Sequence, residues 1–343
     1  MTMEFRRRLP IPAEVKEDLP LPSRYEKKKA ERDWEIGQIL QGVDATRKLL
    51  VIGPCSADRS DAVLEYCAKL AELQEKVKDK LLIIPRIYTS KPRTTGAGYK
   101  GMLHQPNPSS GSDMLEGLKT IRSLHLKVIQ ETNLFGADEM LYPSSYRFVS
   151  DLLSYAAVGA RSVENQEHRL TASGLDIPVG MKNPTGGDIS VMINAVYAAQ
   201  QGHMFIYRNW EVVTSGNPLA HAILRGYKRS DGRNRPNYHY EDLLLLCEEY
   251  SKMGLKNPSV VIDCNHANSN KKHVEQPRIV RDVLRSCSES KEVSTMIKGF
   301  MVESYLEEGS QKVGGSVYGK SITDPCLGWS GTERLILELA DEL

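Results

Sequence analysis

The stretch LLIIPRIYTSKPRTTGAGYKG, residues 81–101, opens as an unbroken apolar run and ends in a loop that carries Arg86, Lys91, Arg93 and Lys100. An apolar run without alternation reads as a strand buried on both faces, the kind that parallel sheets place between two layers of helices. From Leu81 to Ser112 there is no Asp or Glu. The chain as a whole is nearly balanced, with 45 basic and 44 acidic residues and a net charge of +1. A solvated loop is the plain explanation for such a charge run. The sharper one is that the missing anion is a ligand, since Arg and Lys at a strand end suit phosphate and carboxylate.

The same organisation repeats along the chain. Apolar runs occur at 49–57, 81–88, 126–133, 156–163, 177–183, 221–227, 259–268 and 297–304. Amphipathic stretches such as SDAVLEYCAKLAELQEKV and YEDLLLLCEEYSKMG lie between them. Buried strands alternating with helices predict a parallel sheet, and eight such units predict a closed (β/α)8 TIM barrel of the α/β class. The segment HMFIYRNWEVVTSGNPL breaks the rhythm and predicts a β-hairpin inserted before barrel strand six. Residues 1–45, rich in Pro, Arg and Glu and then in charged helical spacing, form an N-terminal extension, a candidate for oligomerisation or regulation. Residues 46–343 form the catalytic barrel.

Composition narrows the function. At 40% apolar and 26% charged residues the sequence is that of a globular protein, and its neutral balance excludes a broad nucleic-acid-binding surface. No apolar run approaches the ~18 residues of a membrane span, and MTMEFRRRLPIPAEVKEDLP lacks the apolar core of a secretory signal. Six cysteines without a CxxC pair fit a reducing, cytoplasmic setting. Cys67, Cys247 and Cys287 fall in amphipathic runs and are expected on buried helix faces.

In a TIM barrel the chemistry sits at the C-terminal ends of the strands. Here the apolar runs end in Cys55, Arg86, Glu131, Arg161, Lys182, Arg225, the pair Asp263 and His266, and Glu303. Any one of these is commonly a satisfied rim residue. A full set is hard to ascribe to packing, because an isolated buried charge costs several kcal/mol, roughly, without a partner. The cations Arg86, Lys91, Arg93, Arg161, Lys182 and Arg225 would repel one another at one mouth unless anions separate them, and two phosphates and a carboxylate would suffice. Cys55, His266 and Glu303, joined by Asp324 in the loop YGKSITDPC, form a mixed soft and hard donor set. That set suits one borderline divalent metal, Mn, Fe, Co or Zn, with a position left for substrate.

These residues sit in words that resemble a known family. GPCS at 53–56, KPRTT at 91–95, GAR at 159–161, ILRG at 223–226, HANS at 266–269, MVES at 301–304 and GKSITD at 319–324 are similar, in order, to the type I alpha branch of the 3-deoxy-D-arabino-heptulosonate 7-phosphate (DAHP) synthases. The likeness runs from about residue 45 to the C-terminus and includes the hairpin and the extension. It implies the condensation of phosphoenolpyruvate with erythrose 4-phosphate and water, the first step of the shikimate pathway. It implies metal ligation by Cys55, His266, Glu303 and Asp324, and phosphoenolpyruvate binding by Arg86, Lys91, Arg161, Lys182 and Arg225. Arg93 and Thr94 correspond to the site of the erythrose 4-phosphate phosphate, with Lys91 reaching both substrates. Lys182 or Lys91 is then the candidate proton donor, and Glu131 or a metal-bound group the candidate for handling water. The family also implies a homodimer or homotetramer and an aromatic amino acid as candidate effector. The segments QETNLFGADEMLYPSSY and KNPTGGD, which lie near where some members bind such effectors, depart from the family's better-known forms.

Three alternatives compete. A sister synthase using arabinose 5-phosphate is disfavoured by KPRTT. A Schiff-base aldolase with Lys182 as nucleophile leaves the four metal-type residues without a role. A non-catalytic phosphometabolite sensor would be expected to have lost one of them.

Overall fold

The computed structural model describes residues 2–93 and 95–343. Its central sheet has eight strands: β1 (Lys48–Gly53), β2 (Leu81–Pro85), β3 (Gly136–Glu139), β4 (Leu153–Val158), β5 (Val179–Lys182), β6 (His221–Leu224), β7 (Val260–Asp263) and β8 (Ile297–Glu303). Each pairs in parallel with its sequence neighbour from β3 to β8, and β1 lies between β8 and β2. The circle closes between β2 and β3 through a parallel bridge of Arg86 with Ala137, where the Ile87 N–H donates to the Ala137 carbonyl at 2.9 Å. The helices are α1 (Pro12–Asp18), α2 (Glu26–Gln41), α3 (Ser60–Val77), α4 (Met114–Thr132), α5 (Pro143–Tyr146), α6 (Gln166–Ser173), α7 (Ile189–Gln200), α8 (Tyr240–Met253), α9 (Gln276–Glu289), α10 (Lys291–Met296) and α11 (Trp329–Glu342). The expected α/β barrel is therefore observed.

The inserted hairpin is also present, as Met204–Tyr207 paired antiparallel with Trp210–Val213. Its two turn residues, Arg208 and Asn209, both have positive φ, 55° and 65°. A two-residue turn with both centres left-handed matches the twist of the strands it joins. Its outer face is apolar, with Met204, Ile206, Trp210 and Val213 all largely exposed.

One strand lies elsewhere than expected. The run LKVIQETN at 126–133 belongs to α4, not to a strand. Leu118, Ile121, Leu124, Val128, Ile129 and Thr132 are buried at helical spacing. Asp113 caps the start, accepting from the N–H groups of Leu115 and Glu116, and Asn133 at φ 57° ends it. The third strand is the four-residue GADE at 136–139, which carries none of the β-branched residues that mark strands. The fourth also begins at Leu153, earlier than expected, so Arg161 stands in the loop beyond it.

Alternation along the strands separates two cores. Leu49, Val51, Leu82, Ile84, Ala137, Tyr155, Ala157, Ile223, Val261 and Met301 fill the barrel interior. Ile36, Ile39 and Leu40 of α2 join this inner cluster, so the last turns of α2 form the barrel's floor. Each such buried side chain contributes about 1.5–3 kcal/mol. The Ser259 hydroxyl donates to the Leu40 carbonyl at 2.6 Å, satisfying one of the helix's unpaired C-terminal groups. The second core lies between sheet and helices and includes Cys67 of α3 and Cys247 of α8, while Cys287 of α9 packs half-buried against it.

The interior also holds a polar pair. Tyr155 Oη donates to His221 Nε2 at 2.7 Å, and His221 Nδ1 donates to the Leu219 carbonyl at 2.8 Å. Both ring nitrogens are thus satisfied in the neutral tautomer. Burial lowers the His221 pKa to about 4. The unfolded chain takes up this proton at higher pH than the folded one, so the contribution to stability is complete above about pH 6.5 and is lost as the pH falls toward about 4. We expect the drop in unfolding free energy between about pH 7 and pH 4 to be about 3 kcal/mol smaller in His221→Gln, measured by denaturant titration at both pH values.

Candidate metal and phosphate site

Every strand delivers its polar end residue to one mouth, around a cavity of about 580 Å³. The approach begins at Gly53, where a Cβ would fall 2.2 Å from the Arg86 carbonyl. Glycine lets β1 and β2 close together, which brings Cys55 beside the loop after β2. Lys91 Nζ then lies 2.6 Å from Cys55 Sγ.

Cys55, Glu303 and Asp324 each place a donor atom within 4.8 Å of the others, and this group can hold a metal ion. His266 Nε2 lies 3.7 Å from Glu303 Oε1, while its Nδ1 faces Asp263 Oδ2 at 2.9 Å. A carboxylate behind an imidazole orients the other nitrogen toward a metal. Burial lowers the His266 pKa against the pull of Asp263 and Glu303, leaving a neutral ring with a free lone pair. Burial and Glu303 raise the Cys55 pKa, although Lys91 opposes them. Asp324, despite burial, is held down to about 2 by Lys91 and Lys271, and Lys271 Nζ lies 3.0 Å from its carboxylate. The donors therefore fit a divalent ion chemically, as a buried thiol, an imidazole and two carboxylates crowded together.

The cations fall into two groups. Arg86, 2% exposed, donates to Glu303 at 3.1 Å and to the Pro54 carbonyl, and its guanidinium stacks 3.7 Å from the centre of the Tyr88 ring. Its Nε is buried without a partner. Lys182 donates to Asp263 at 3.2 Å, and against burial Asp263 is held well below the usual carboxylate range by His266 and Lys182. By contrast, Arg93, Arg161 and Arg225 line the cavity without any ion pair to a carboxylate among the described residues. Burial lowers the Arg225 pKa, with Arg161 adding to the effect, so both guanidiniums gain from an anion between them. Arg93 Nε donates to the Tyr99 carbonyl at 2.8 Å and Arg161 Nη1 to the Pro92 carbonyl at 3.4 Å.

The structure brings together Cys55, Arg86, Lys91, Arg93, Arg161, Lys182, Arg225, His266, Glu303 and Asp324. Thr94 lies outside the described residues. Glu131 does not reach the site. It is exposed in the last turn of α4, because the run that carries it is helical. The carboxylate that β3 delivers to the cavity is Glu139. A correct third strand would have found it, but GADE gives little strand signal. Lys271, which holds Asp324, was also missed; its one sequence signal is the run SNKK beside HANS.

A parallel barrel whose mouth gathers a metal-type donor set and unpaired guanidiniums defines an enzyme acting on phosphorylated substrates. Residues 15–336 match the DAHP synthetase I family. The chain is 40% identical over 313 residues to the Trp-sensitive phospho-2-dehydro-3-deoxyheptonate aldolase of Escherichia coli strain K12, covering 89% of this chain and 86% of that one. It is 37% identical over 344 aligned positions to the Tyr-sensitive enzyme of the same strain, covering 98% and 93%. Its fold matches the phospho-2-dehydro-3-deoxyheptonate aldolase of Francisella tularensis SCHU S4 with a TM-score of 0.91 at 32% identity, over 99% of this chain and 98% of that one. The chain belongs to the DAHP synthetase I family. Its activity is that of a 3-deoxy-7-phosphoheptulonate synthase, a transferase of the shikimate pathway and of aromatic amino acid biosynthesis.

Burial raises the Cys55 pKa, so an ion held there would have to displace the thiol proton. Titration with Mn or Zn in weakly buffered solution near neutral pH is expected to release about one proton per ion bound, and Cys55→Ala to release none.

Proposed function

We propose that the cavity condenses phosphoenolpyruvate with erythrose 4-phosphate at one divalent ion, Mn, Fe, Co or Zn, held by Cys55, His266, Glu303 and Asp324. The observation that carries this reading is the placement of three guanidiniums without carboxylate partners opposite the Cys, Glu and Asp cluster. When bound, the ion supplies Lewis-acid polarisation of the aldehyde oxygen. Arg161 and Arg225 take the phosphate of phosphoenolpyruvate, while Arg86 and Lys182, fixed by Glu303 and Asp263, bind the rest of its charge. Arg93, with Thr94, takes the phosphate of erythrose 4-phosphate. Two phosphates clamped at fixed points bring the enol carbon against the aldehyde carbon, which removes much of the entropic barrier.

As that bond forms, positive charge develops at the carbon bearing the phosphate, and water adds there. Loss of phosphate by C–O cleavage follows. Lys91, kept protonated against burial by the charges of Glu303 and Asp324 and by Cys55 once its proton is lost, holds a proton at Nζ for the former aldehyde oxygen. Lys182 is the alternative donor. Glu139, the carboxylate among the cavity's lining residues that lies outside the metal set, is placed to take a proton from the attacking water.

Regulation and assembly belong to the same proposal. The Trp- and Tyr-sensitive names of two relatives support an aromatic amino acid effector here. The exposed apolar face of the hairpin and the N-terminal extension support a homodimer or homotetramer. No helix among the described residues is long and apolar enough to cross a membrane, and all six cysteines are free, which fits a cytoplasmic enzyme.

Phosphate release from phosphoenolpyruvate tests the reaction. It is expected to require erythrose 4-phosphate, to stop with chelator and to return with Mn; release without the aldose would overturn the reading. The residue sets are separable. His266→Ala is expected to lower kcat by at least about 100-fold with phosphoenolpyruvate binding little changed. Arg225→Ala is expected to raise the KM for phosphoenolpyruvate by about 10- to 100-fold.

A further inference from the structure

We propose that Asp138 and Thr89 are a positioning pair that sets the place of Arg93, and so of the erythrose 4-phosphate half of the site. The proposal rests on the assignment of Arg93 to that phosphate. Alternation along β3 turns Ala137 into the barrel interior and Asp138 outward, toward α4 and the base of the loop after β2. There Asp138 is 5% exposed. Its Oδ1 accepts from the Thr89 N–H at 2.9 Å and from the Glu139 N–H at 2.7 Å, and its Oδ2 accepts from the Thr89 hydroxyl at 2.5 Å. Behind it stands His125, 1% exposed, its Nε2 3.8 Å from Asp138 Oδ2 and without a hydrogen-bond partner among the described residues.

A buried carboxylate is an expensive way to fill space, since an apolar side chain of that volume would pack without desolvating a charge. Its bonds explain the choice. They cross the one seam of the barrel that has a single bridge, Arg86 with Ala137. They also seize the residue at which the substrate loop leaves the barrel. Thr89 is the foot of that loop in a second sense, for its carbonyl accepts from the Leu103 N–H at 3.0 Å, and Lys91 N–H donates to the Lys100 carbonyl at 3.0 Å. The return limb passes so close that a Cβ at Gly101, whose φ is +93°, would fall 2.5 Å from the Thr89 oxygen. The described limbs of the loop, 89–93 and 95–103, are therefore tied together above Thr89.

The loop's two cavity-lining cations, Lys91 and Arg93, depend on that foot unequally. Lys91 has an anchor of its own in Cys55, at 2.6 Å. Arg93 is held by the Tyr99 carbonyl on the return limb, and the buried Tyr99 hydroxyl ties that limb to the Ala57 carbonyl at 2.9 Å. Displacement of the foot thus shifts the outgoing limb that carries Arg93 away from the anchored Tyr99 carbonyl, while Lys91 stays tied to Cys55.

The test is steady-state kinetics on the metal-loaded enzyme with each substrate varied in turn, for Thr89→Val, Thr89→Ser, Asp138→Asn and Arg93→Ala, beside their unfolding midpoints. Thr89→Val is expected to raise the KM for erythrose 4-phosphate about tenfold while the KM for phosphoenolpyruvate stays within about twofold. Thr89→Ser, which keeps the hydroxyl, is expected to restore it, and Asp138→Asn to resemble Thr89→Val. Equal movement of both KM values, or a lower unfolding midpoint with neither moved, would overturn the proposal. If Arg93→Ala raises the KM for erythrose 4-phosphate and Thr89→Val does not, the positioning pair fails alone. If Arg93→Ala leaves that KM unchanged, the assignment of the site fails and takes the proposal with it. Should Asp138→Asn not fold, the two Thr89 variants decide the matter.

Discussion

The mouth of the barrel is organised around one electrostatic constraint: the carboxylate of Glu303 is almost wholly buried and needs partners there. It is 1% exposed. Arg86 answers it at 3.1 Å and Asn265 donates to its other oxygen. Arg86, itself buried, is braced by the Pro54 carbonyl and the face of Tyr88. Pro54 precedes Cys55, and Asn265 precedes His266. The groups that make Glu303 tolerable are thus the chain neighbours of the other metal-type residues, so satisfying one charge assembles the cluster. Gln276 adds a brace from α9, donating to the Glu303 carbonyl at 2.8 Å and accepting from its N–H at 2.8 Å. Removing Arg86 would leave the buried carboxylate of Glu303 without its cation, which costs more than the pair itself contributes.

Much of this was legible in the sequence because local and global signals agreed. Seven of the eight strands are apolar runs flanked by helical patterns, and their end residues could be read as a site before any geometry was known. Cys55, His266 and Glu303 were named as one group from their chemistry alone. The failures have a common cause. The third strand is four residues of Gly, Ala, Asp and Glu, and its neighbour α4 contains an apolar run dense enough to imitate a strand. Tertiary context, with β4 beside it and the Arg86 bridge at its edge, makes GADE a strand where propensity does not. That one error displaced Glu131 into the site and hid both Glu139 and Asp138. The pairing within the cation cluster was equally beyond the sequence, since Arg86 and Lys182 find their carboxylates 217 and 81 residues away.

The division of cations bears on how the site works. Arg86 and Lys182 are held by permanent partners and so have fixed positions before substrate arrives, which is the condition for electrostatic preorganisation. Arg93, Arg161 and Arg225 retain unspent charge. A site built wholly of the first kind would bind anions weakly, because its charges are already neutralised. One built wholly of the second would be mobile and self-repelling. The structure combines a rigid inner pair with an outer set whose charge is left for an anion to complete.

The floor of the barrel imposes an order of events on synthesis. Ile36, Ile39 and Leu40 leave the ribosome early, yet the surfaces they cover include Val261 and Met301, and the helix end is tied to Ser259. This helix is therefore made well before it can find its place, and it must carry an exposed apolar edge while some 260 further residues, up to Met301, are translated, roughly ten to fifty seconds at ordinary elongation rates. A barrel plugged by its own leading segment cannot be completed piecemeal, and the nascent chain has a built-in need for shelter until its final strand emerges.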